Sequence, residues 1–175
     1  SADVLMKGLL STSTLLKAIL DKEHGLLPTG GTLSHICMSE LPMLDRMLFF
    51  SDVAVIPRPT LEQFDAILRN DIGVCRKMLC RSPKVAMIHC NEAVSDKFPV
   101  TLDYQKVKLL AAEGRYGDVN VDGPMDVKTA CDAKSAAVKG IESAVAGCAD
   151  LLIFPDIEAG NAFYKTITMF PGVRT

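Results

Sequence analysis

Short apolar runs alternate with longer amphipathic segments along the chain, and this pattern predicts strands that alternate with helices. The run at residues 151–154 is continuously apolar, which is typical of a strand buried on both faces of a sheet. Residues 33–38 and 47–56 form two strand-like runs with few residues between them, so we expect these strands to pair antiparallel. Further strands are predicted at residues 4–6, 85–90 and 119–121.

Helical periodicity is clearest over residues 61–80, where apolar side chains recur at steps of three and four. Thr60 and Gln63 form the sequence pattern of a capping box at the start of this helix. Further helices are predicted over residues 14–23, over residues 101–113, after Pro124 and after Asn161.

This alternation predicts an α/β fold, specifically a three-layer α/β/α sandwich around a mixed, mostly parallel sheet. We expect one domain over residues 1–175, because a chain of this length buries a sizeable core. The predicted core residues are Val4, Leu5, Ile36, Phe49, Leu68, Ile72, Val85, Met87, Val119, Leu152 and Ile153.

Composition narrows the class of partner. The sequence is 49% apolar, has a formal net charge of -2 and contains no block of Lys or Arg, so neither nucleic acid nor a membrane is expected as a partner. The longest apolar runs fall far short of the roughly 20 residues that a membrane-spanning helix requires. Six cysteines occur without a CxxC pair, which favours reduced thiols and a cytoplasmic location.

Polar and flexible residues follow several predicted strands, and ligands of open α/β sheets bind at the carboxyl ends of the strands. Lys7, Ser11 and Thr12 precede the first helix and could hold phosphate, or the hydroxyls could simply cap the helix. Asp122 lies in the segment VDGPMD, which either contributes to a site or makes a turn. We expect Lys7, Asp122 and Asp156 to lie on one edge of the sheet.

The segment PDIEAGN, residues 155–161, is the densest of these loops. Two carboxylates lie close together in it, and such pairs persist where solvent, a cation or basic groups accept them. Asp156 and Asn161 are therefore the main candidates for ligand contacts, while Gly160 suits tight backbone geometry. The histidines share no metal-ligand spacing, and for His89 a packing role is favoured over a position facing a cleft.

Five motifs, in the same order along the chain, resemble the phosphate acetyltransferase and phosphate butyryltransferase family. They are ADVLMKGLLSTSTLL, LFFSDVAV, PKVAMIHC, VDGPMDVKTA and VAGCADLLIFPDIEAGNAFYKTIT. The segments VDGPMD and HCNEAVSD are more similar to the butyryltransferase branch. Family members are longer and have two domains, and residues 1–175 resemble the second, middle domain.

The resemblance implies an acyltransferase that moves an acetyl or butyryl group between coenzyme A and inorganic phosphate, its two substrates, with no metal and no separate cofactor. It also implies a homodimer and a domain similar to domain 2 of the isocitrate/isopropylmalate dehydrogenase-like fold. The family's Ser-Arg motif and phosphate-binding arginines have no counterpart in this chain, so its catalytic residues stay unknown and the chain alone is expected to be inactive. The substrate-binding residues that the resemblance implies are Lys7, Ser11, Thr12, Asp122, Asp156, Gly160, Asn161 and Lys165.

Two other functions are open alternatives. The chain could be a structural and dimerisation module without a ligand site of its own, which an absence of coenzyme A binding would favour. It could instead resemble the β-decarboxylating dehydrogenases, whose cleft aspartates hold a divalent metal. That second alternative lacks the support of a dinucleotide fingerprint or a dense carboxylate cluster.

Overall fold

The computed structural model describes residues 5–79 and 81–175. Its contacts divide the chain into two compact units, residues 1–33 and residues 34–175. The sheet and every described helix but the first belong to the second unit. None of the described helices is long and apolar enough to cross a bilayer.

The first unit contains helix α1 (Thr12–Ile19), which begins and ends earlier than the helix predicted over residues 14–23. Ser11 occupies the N-cap position, where its hydroxyl accepts a hydrogen bond from the Thr14 amide at 3.2 Å. This bond satisfies one of the amides that the first turn leaves unpaired. The capping alternative considered for Ser11 is therefore realised.

The strand predicted at residues 4–6 is wrong for its described part. Leu5 and Met6 belong to no helix or strand and expose 61% and 90% of their surface. An apolar run becomes a buried strand only where a neighbouring strand pairs with it, and the described sheet draws its strands from residue 36 onward. Leu5 is therefore not a core residue, and Val4 lies outside the described residues.

The second unit is built around a five-stranded sheet. In chain order its strands are β1 (Ile36–Glu40), β2 (Met47–Ser51), β3 (Lys84–Ile88), β4 (Asn120–Met125) and β5 (Leu151–Ile153). Their spatial order is β1-β2-β5-β3-β4, with β1 antiparallel to β2 and all other neighbours parallel. The mixed, mostly parallel sheet and its antiparallel pair are thus confirmed.

Helices cover both faces of this sheet. They are α2 (Leu61–Leu79), α3 (Pro99–Ala112), α4 (Val127–Cys131), α5 (Ala133–Val138) and α6 (Ile157–Ile167). Side chains of α2 and α3 pack with Leu151 and Ile153 on one face, and side chains of α4 and α6 pack with Leu152 on the other. All three β5 residues are completely buried, so the strand is enclosed between two helical layers as its apolar run predicts.

The start of α2 carries the predicted capping box. The Thr60 amide donates to Gln63 Oε1 at 3.0 Å, and the Gln63 amide donates to Thr60 Oγ1 at 3.3 Å. These reciprocal bonds satisfy two amides at the helix start. Thr60 and Gln63 are three residues apart in the sequence. The local sequence pattern was therefore sufficient to predict these two hydrogen bonds.

Most of the predicted core is confirmed. Ile36 and Val119 are only partly buried and pack at the margin of the core. The predicted residues that are fully buried are Phe49, Leu68, Ile72, Val85, Met87, Leu152 and Ile153.

The segment VDGPMD does not form the turn that its Asp, Gly and Pro residues suggest. Instead β4 continues through it to Met125, and the β3 to β4 register shifts between Ala86 and Ile88. Gly123 has φ +141° at this irregularity, and a Cβ there would lie 2.5 Å from the Met87 carbonyl oxygen. Since β4 is an edge strand, Pro124 can lie within it without removing a hydrogen bond between two strands.

Candidate functional site

A cavity of about 590 Å³ lies at the carboxyl ends of three parallel strands. His89 follows β3, Asp126 follows β4 and Asp156 follows β5, and all three line this cavity. Phe98, which precedes α3, and Phe154 contribute apolar walls. This is the position where open α/β sheets bind ligands, because the strands end together and helices begin there.

Asp156 is the N-cap residue of α6. Its Oδ1 accepts a hydrogen bond from the Ala159 amide at 2.8 Å, so the carboxylate stabilises the helix start as well as lining the cavity. The helix therefore begins at Ile157, five residues before the start that the sequence predicted after Asn161. The dense polar segment is mostly the first two turns of a helix rather than a loop.

Gly160 and Asn161 attach α6 to the segment that follows β2. Asn161 Nδ2 donates to the Val53 carbonyl oxygen at 3.0 Å. A Cβ at Gly160 would lie 2.5 Å from the Asp52 carbonyl oxygen, so only glycine permits this close approach. Neither residue lines the cavity, and both act on the site by fixing the position of α6.

The segment after β2 is itself held by a buried carboxylate. Asp52 is 2% exposed, and its Oδ1 accepts hydrogen bonds from the amides of Ala54 and Val55 at 2.8 and 2.9 Å. Its Oδ2 accepts further bonds from the amides of His35 and Ile56. These bonds give α6 an ordered backbone surface to pack against.

Asp122 lies within β4, paired with Ala86, and not at the carboxyl end of the strand. Its carboxylate forms an ion pair with Lys108 and accepts a hydrogen bond from the Gly123 amide at 2.8 Å. Burial alone would raise its pKa, but Lys108 and the Ser143 hydroxyl lower the pKa of Asp122 below its ordinary value. The prediction that Asp122 and Asp156 share one edge is wrong, because β4 extends beyond the expected turn.

Asp126 occupies the position that sequence reasoning assigned to Asp122. It caps α4 by accepting hydrogen bonds from the Thr129 amide and hydroxyl, both at 2.8 Å, and the Lys139 ammonium bridges it to Glu92. Although burial acts to raise its pKa, Lys139 and Thr129 hold the pKa of Asp126 well below the ordinary aspartate value. The signal was present in the sequence as an aspartate directly before a helix.

His89 packs and lines the cavity at the same time. Its ring meets Phe98 edge to face with 4.8 Å between centroids, and 7% of the residue is exposed. The packing role favoured from the sequence is therefore confirmed, and the residue is also part of the cavity lining. Phe98 and Lys139 lie in none of the motifs named above, and Glu92 lies in HCNEAVSD but was not among the predicted site residues.

Of the other candidate residues, Lys7, Ser11 and Thr12 belong to the first unit, and Lys165 of the second unit does not line the cavity. Lys7 is exposed and its ammonium donates to the Gly8 carbonyl oxygen at 3.3 Å, while Thr12 is the first residue of α1. Lys165 is exposed on α6, with its Nζ 4.9 Å from the centroid of the Tyr164 ring. Among the residues that the structure describes, no group of three His, Cys, Asp or Glu side chains could hold a metal ion.

Two solved structures with a similar fold are a phosphotransacylase and a phosphotransacetylase. A branched-chain phosphotransacylase from Enterococcus faecalis superposes with a TM-score of 0.83 at 30% identity, over 95% of this chain and 59% of that one. A phosphotransacetylase from Streptococcus pyogenes gives a TM-score of 0.76 at 26% identity, over 93% of this chain and 50% of that one. The described chain thus has an α/β fold that matches these phosphotransacylase structures.

Sequence comparison gives the family. The profile described as "Phosphate acetyl/butaryl transferase" matches residues 1–175. The chain is 40% identical to the phosphate butyryltransferase of Clostridium acetobutylicum (95% of this chain, 55% of that protein) and 38% identical to the phosphate acetyltransferase of Thermotoga maritima (99% and 58%). The chain belongs to the phosphate acetyl/butyryl transferase family, as its motifs indicate, and spans about half the length of these relatives.

Proposed function

We propose that the complete reading frame encoding this chain produces a phosphate acyltransferase, which converts an acyl-CoA and inorganic phosphate into an acyl phosphate and CoA. The observation that carries this proposal is the cavity at the ends of β3, β4 and β5, which combines apolar walls with the polar groups of His89, Asp126 and Asp156. Apolar walls suit an acyl chain or the pantetheine arm, and a few polar groups fix the orientation of such a ligand.

In the proposed reaction a phosphate oxygen attacks the carbonyl carbon of the thioester. The carbon–sulfur bond then breaks, and CoA leaves as a thiolate that takes up a proton. No covalent intermediate with the protein is required, so catalysis depends on aligning the two substrates and on stabilising the charge that develops on the carbonyl oxygen. Support for this chemistry comes from family membership and from the phosphotransacylase fold.

We propose that residues 1–175 form one wall of the active site and that the main catalytic groups lie elsewhere in the complete protein. The chain contains no counterpart of the family's Ser-Arg motif, and it spans about half of its relatives. The 175-residue chain alone is therefore expected to have no acyltransferase activity. Turnover above background by the purified chain would contradict this.

Asp156 is the residue of this wall that we propose contacts substrate. Asp156→Asn keeps a good N-cap residue while removing the charge, whereas Asp156→Ala also removes the cap and should cost about 1 kcal/mol of folding free energy. In the complete protein we expect both variants to lose activity, and Asp156→Asn to keep the melting temperature of the wild type. Full activity of Asp156→Asn would show that Asp156 acts only as a helix cap.

The other substrate-binding assignments, Lys7, Ser11, Thr12 and Lys165, stay predictions. Gly160 and Asn161 are proposed to act indirectly, through the position of α6. Asp122 is engaged by Lys108, which favours a structural role for it over a ligand contact. Titration of the wild-type chain with CoA discriminates the acyltransferase wall from a purely structural module.

We also propose a homodimer and a cytoplasmic location. The five described cysteines are all free, which agrees with a reducing compartment.

A relationship to domain 2 of the isocitrate/isopropylmalate dehydrogenase-like fold stays a prediction, and titration with manganese tests the associated metal-binding alternative. The preferred acyl group, butyryl or acetyl, is part of the same proposal, with the butyryl group supported by the 40% identity to a butyryltransferase.

A further inference from the structure

The cavity contains one imidazole whose position is fixed on two sides. His89 directly follows β3, and its backbone amide donates to the Met125 carbonyl oxygen at 2.9 Å. Its ring packs edge to face against Phe98. A side chain held by backbone and ring contacts in this way loses little further freedom when a ligand binds.

Hydrogen-bond geometry assigns the tautomer of this ring. The Asn91 amide hydrogen points at His89 Nδ1, with 3.2 Å between the two nitrogens, so Nδ1 accepts this bond. The Asn91 carbonyl oxygen also lies 3.1 Å from Nδ1, but a proton on Nδ1 would meet the amide hydrogen. The neutral ring therefore carries its proton on Nε2.

The Nε2 proton has no acceptor within the part of the chain that the structure describes, and the ring lines the cavity. A donor facing a largely apolar cavity is unfavourable once a ligand displaces water from it, unless the ligand supplies an acceptor. Asp126 and Asp156, the carboxylates in the same lining, already accept hydrogen bonds from the helix amides of Thr129 and Ala159. Lys97 in the same lining is an exposed ammonium suited to anionic groups, so His89, fixed against Phe98, is the donor that we assign to a neutral acceptor.

We propose that His89 determines how acyl-CoA is held in the cavity, by donating a hydrogen bond from Nε2 to a carbonyl oxygen of the ligand. This inference rests on the proposed acyltransferase function. The acceptor is either the thioester carbonyl or an amide carbonyl of the pantetheine arm, and the two differ kinetically. A bond to the thioester oxygen strengthens as negative charge develops and so affects kcat, whereas a bond to an amide affects KM alone.

The test compares His89→Gln, His89→Asn and His89→Leu in the product of the complete reading frame. The Gln amide nitrogen reaches the position of Nε2, the Asn amide is too short to do so, and Leu has no donor. We expect Gln to stay within about threefold of the wild type, while Leu and Asn lose roughly 10- to 100-fold in kcat/KM for acyl-CoA. The KM for inorganic phosphate should be unchanged in all three.

Matched measurements separate this role from a structural one. His24→Leu, at a side chain that is 86% exposed, should keep wild-type kinetics. Wild-type kinetics for His89→Leu and His89→Asn would overturn the proposal, as would a rise in the KM for inorganic phosphate in these variants. If His89→Leu fails to fold, the comparison of Gln with Asn decides the question in the same way.

Binding distinguishes this inference from the proposed function. Calorimetric titration of the wild type and the three His89 variants with acyl-CoA does not depend on turnover. If the wild type transfers no acyl group but binds acyl-CoA with an affinity that Gln preserves and Leu loses, the assignment of His89 stands and the proposed function falls. If the wild type binds no acyl-CoA, both fall.

Discussion

Asp71 is a buried carboxylate of α2 from which we expect a pH-dependent contribution to the free energy of unfolding. It is 1% exposed, and its Oδ2 has no hydrogen-bond partner among the described residues. Burial raises the pKa of Asp71 to about 7, with an opposing effect from the Ser51 hydroxyl and a further increase from the Asp52 carboxylate. The folded protein therefore keeps this side chain neutral well above the pH at which an ordinary aspartate ionises.

This pKa predicts that stability falls as pH rises from about 4 to about 7. In that window the folded state holds a proton on Asp71 that the unfolded state has released, so raising the pH favours unfolding. Asp71→Asn should remove this part of the pH dependence, which amounts to about 2 kcal/mol between pH 5 and pH 7. Urea unfolding at both pH values measures it.

The exposed Asp118 provides the control for this experiment. Asp118→Asn should leave the pH dependence of the unfolding free energy as in the wild type. If Asp71→Asn keeps the wild-type slope as well, the proton is not held by Asp71.

Sequence reasoning succeeds at single residues when the interaction is local. Thr60 and Gln63 cap α2 as predicted, because their pattern and their contact lie within one turn. Asn161 was correctly marked as unusual, but its partner is the Val53 carbonyl oxygen, 108 residues away along the chain. No local pattern specifies such a distant contact. Sequence reasoning therefore marked Asn161 as a special residue but predicted a ligand as its partner, not a backbone carbonyl.

At the scale of elements, the packing of α6 depends on one glycine. Gly160 lies inside the helix, where alanine is normally more stable by about 1 kcal/mol. A Cβ at this position would meet the Asp52 carbonyl oxygen at 2.5 Å and Val53 Cγ1 at 3.0 Å. Gly73, inside α2, has open space at the corresponding position.

These two glycines predict opposite effects of the same substitution. Gly73→Ala should raise the unfolding free energy by about 0.5 to 1 kcal/mol, because only helix propensity changes. Gly160→Ala should lower it by about 1 to 3 kcal/mol, because the helix must move away from the Asp52 backbone. Thermal and urea unfolding of both variants measures the difference. Equal stabilisation by both substitutions would show that α6 can shift without cost.

The apolar periodicity of the sequence predicted the helices and strands themselves. It did not always predict the residues at which they end. The apolar steps of residues 61–80 and the continuous run of residues 151–154 gave α2 and β5 closely. In contrast, the segment VDGPMD contains residues typical of turns, yet it continues β4 because its neighbour β3 supplies the pairing. Asp126 rather than Asp122 therefore reaches the cavity, and this shift of one element accounts for the misplaced site residue.

At the scale of the whole molecule, the antiparallel pairing of β1 and β2 followed from their short connection, whereas the position of β5 did not. β5 lies between β2 and β3, so it joins strands from distant parts of the sequence. Its place at the centre brings Asp156 to the same cavity as His89. The site thus depends on tertiary pairing that no single segment encodes, although the resemblance to a known family indicated the fold.

Exposed apolar side chains beside the sheet edge allow a prediction about the oligomeric state of the whole molecule. Strand β1 is at the edge of the sheet, where Met38 is 39% exposed, and Met43 and Phe170 nearby in the second unit expose 78% and 55% of their surface. The segments that carry Met43 and Phe170 are neighbours, because a Cβ at Gly172 would lie 3.0 Å from Pro42 Cγ. Large apolar side chains grouped beside a sheet edge are typical of a surface that another chain covers.

We therefore expect the 18.9 kDa chain to form a homodimer, since pairing this surface about a two-fold axis removes both copies from water and closes the assembly. Sedimentation at micromolar concentration should give twice the monomer mass. Met43→Glu should shift the distribution toward monomer, because it places a charge in the shared surface, whereas Val138→Glu on α5, at a side chain 88% exposed, should leave the mass unchanged. A single species at monomer mass across a hundredfold dilution series of the wild type would contradict the dimer, and an equal effect of both substitutions would place the interface elsewhere.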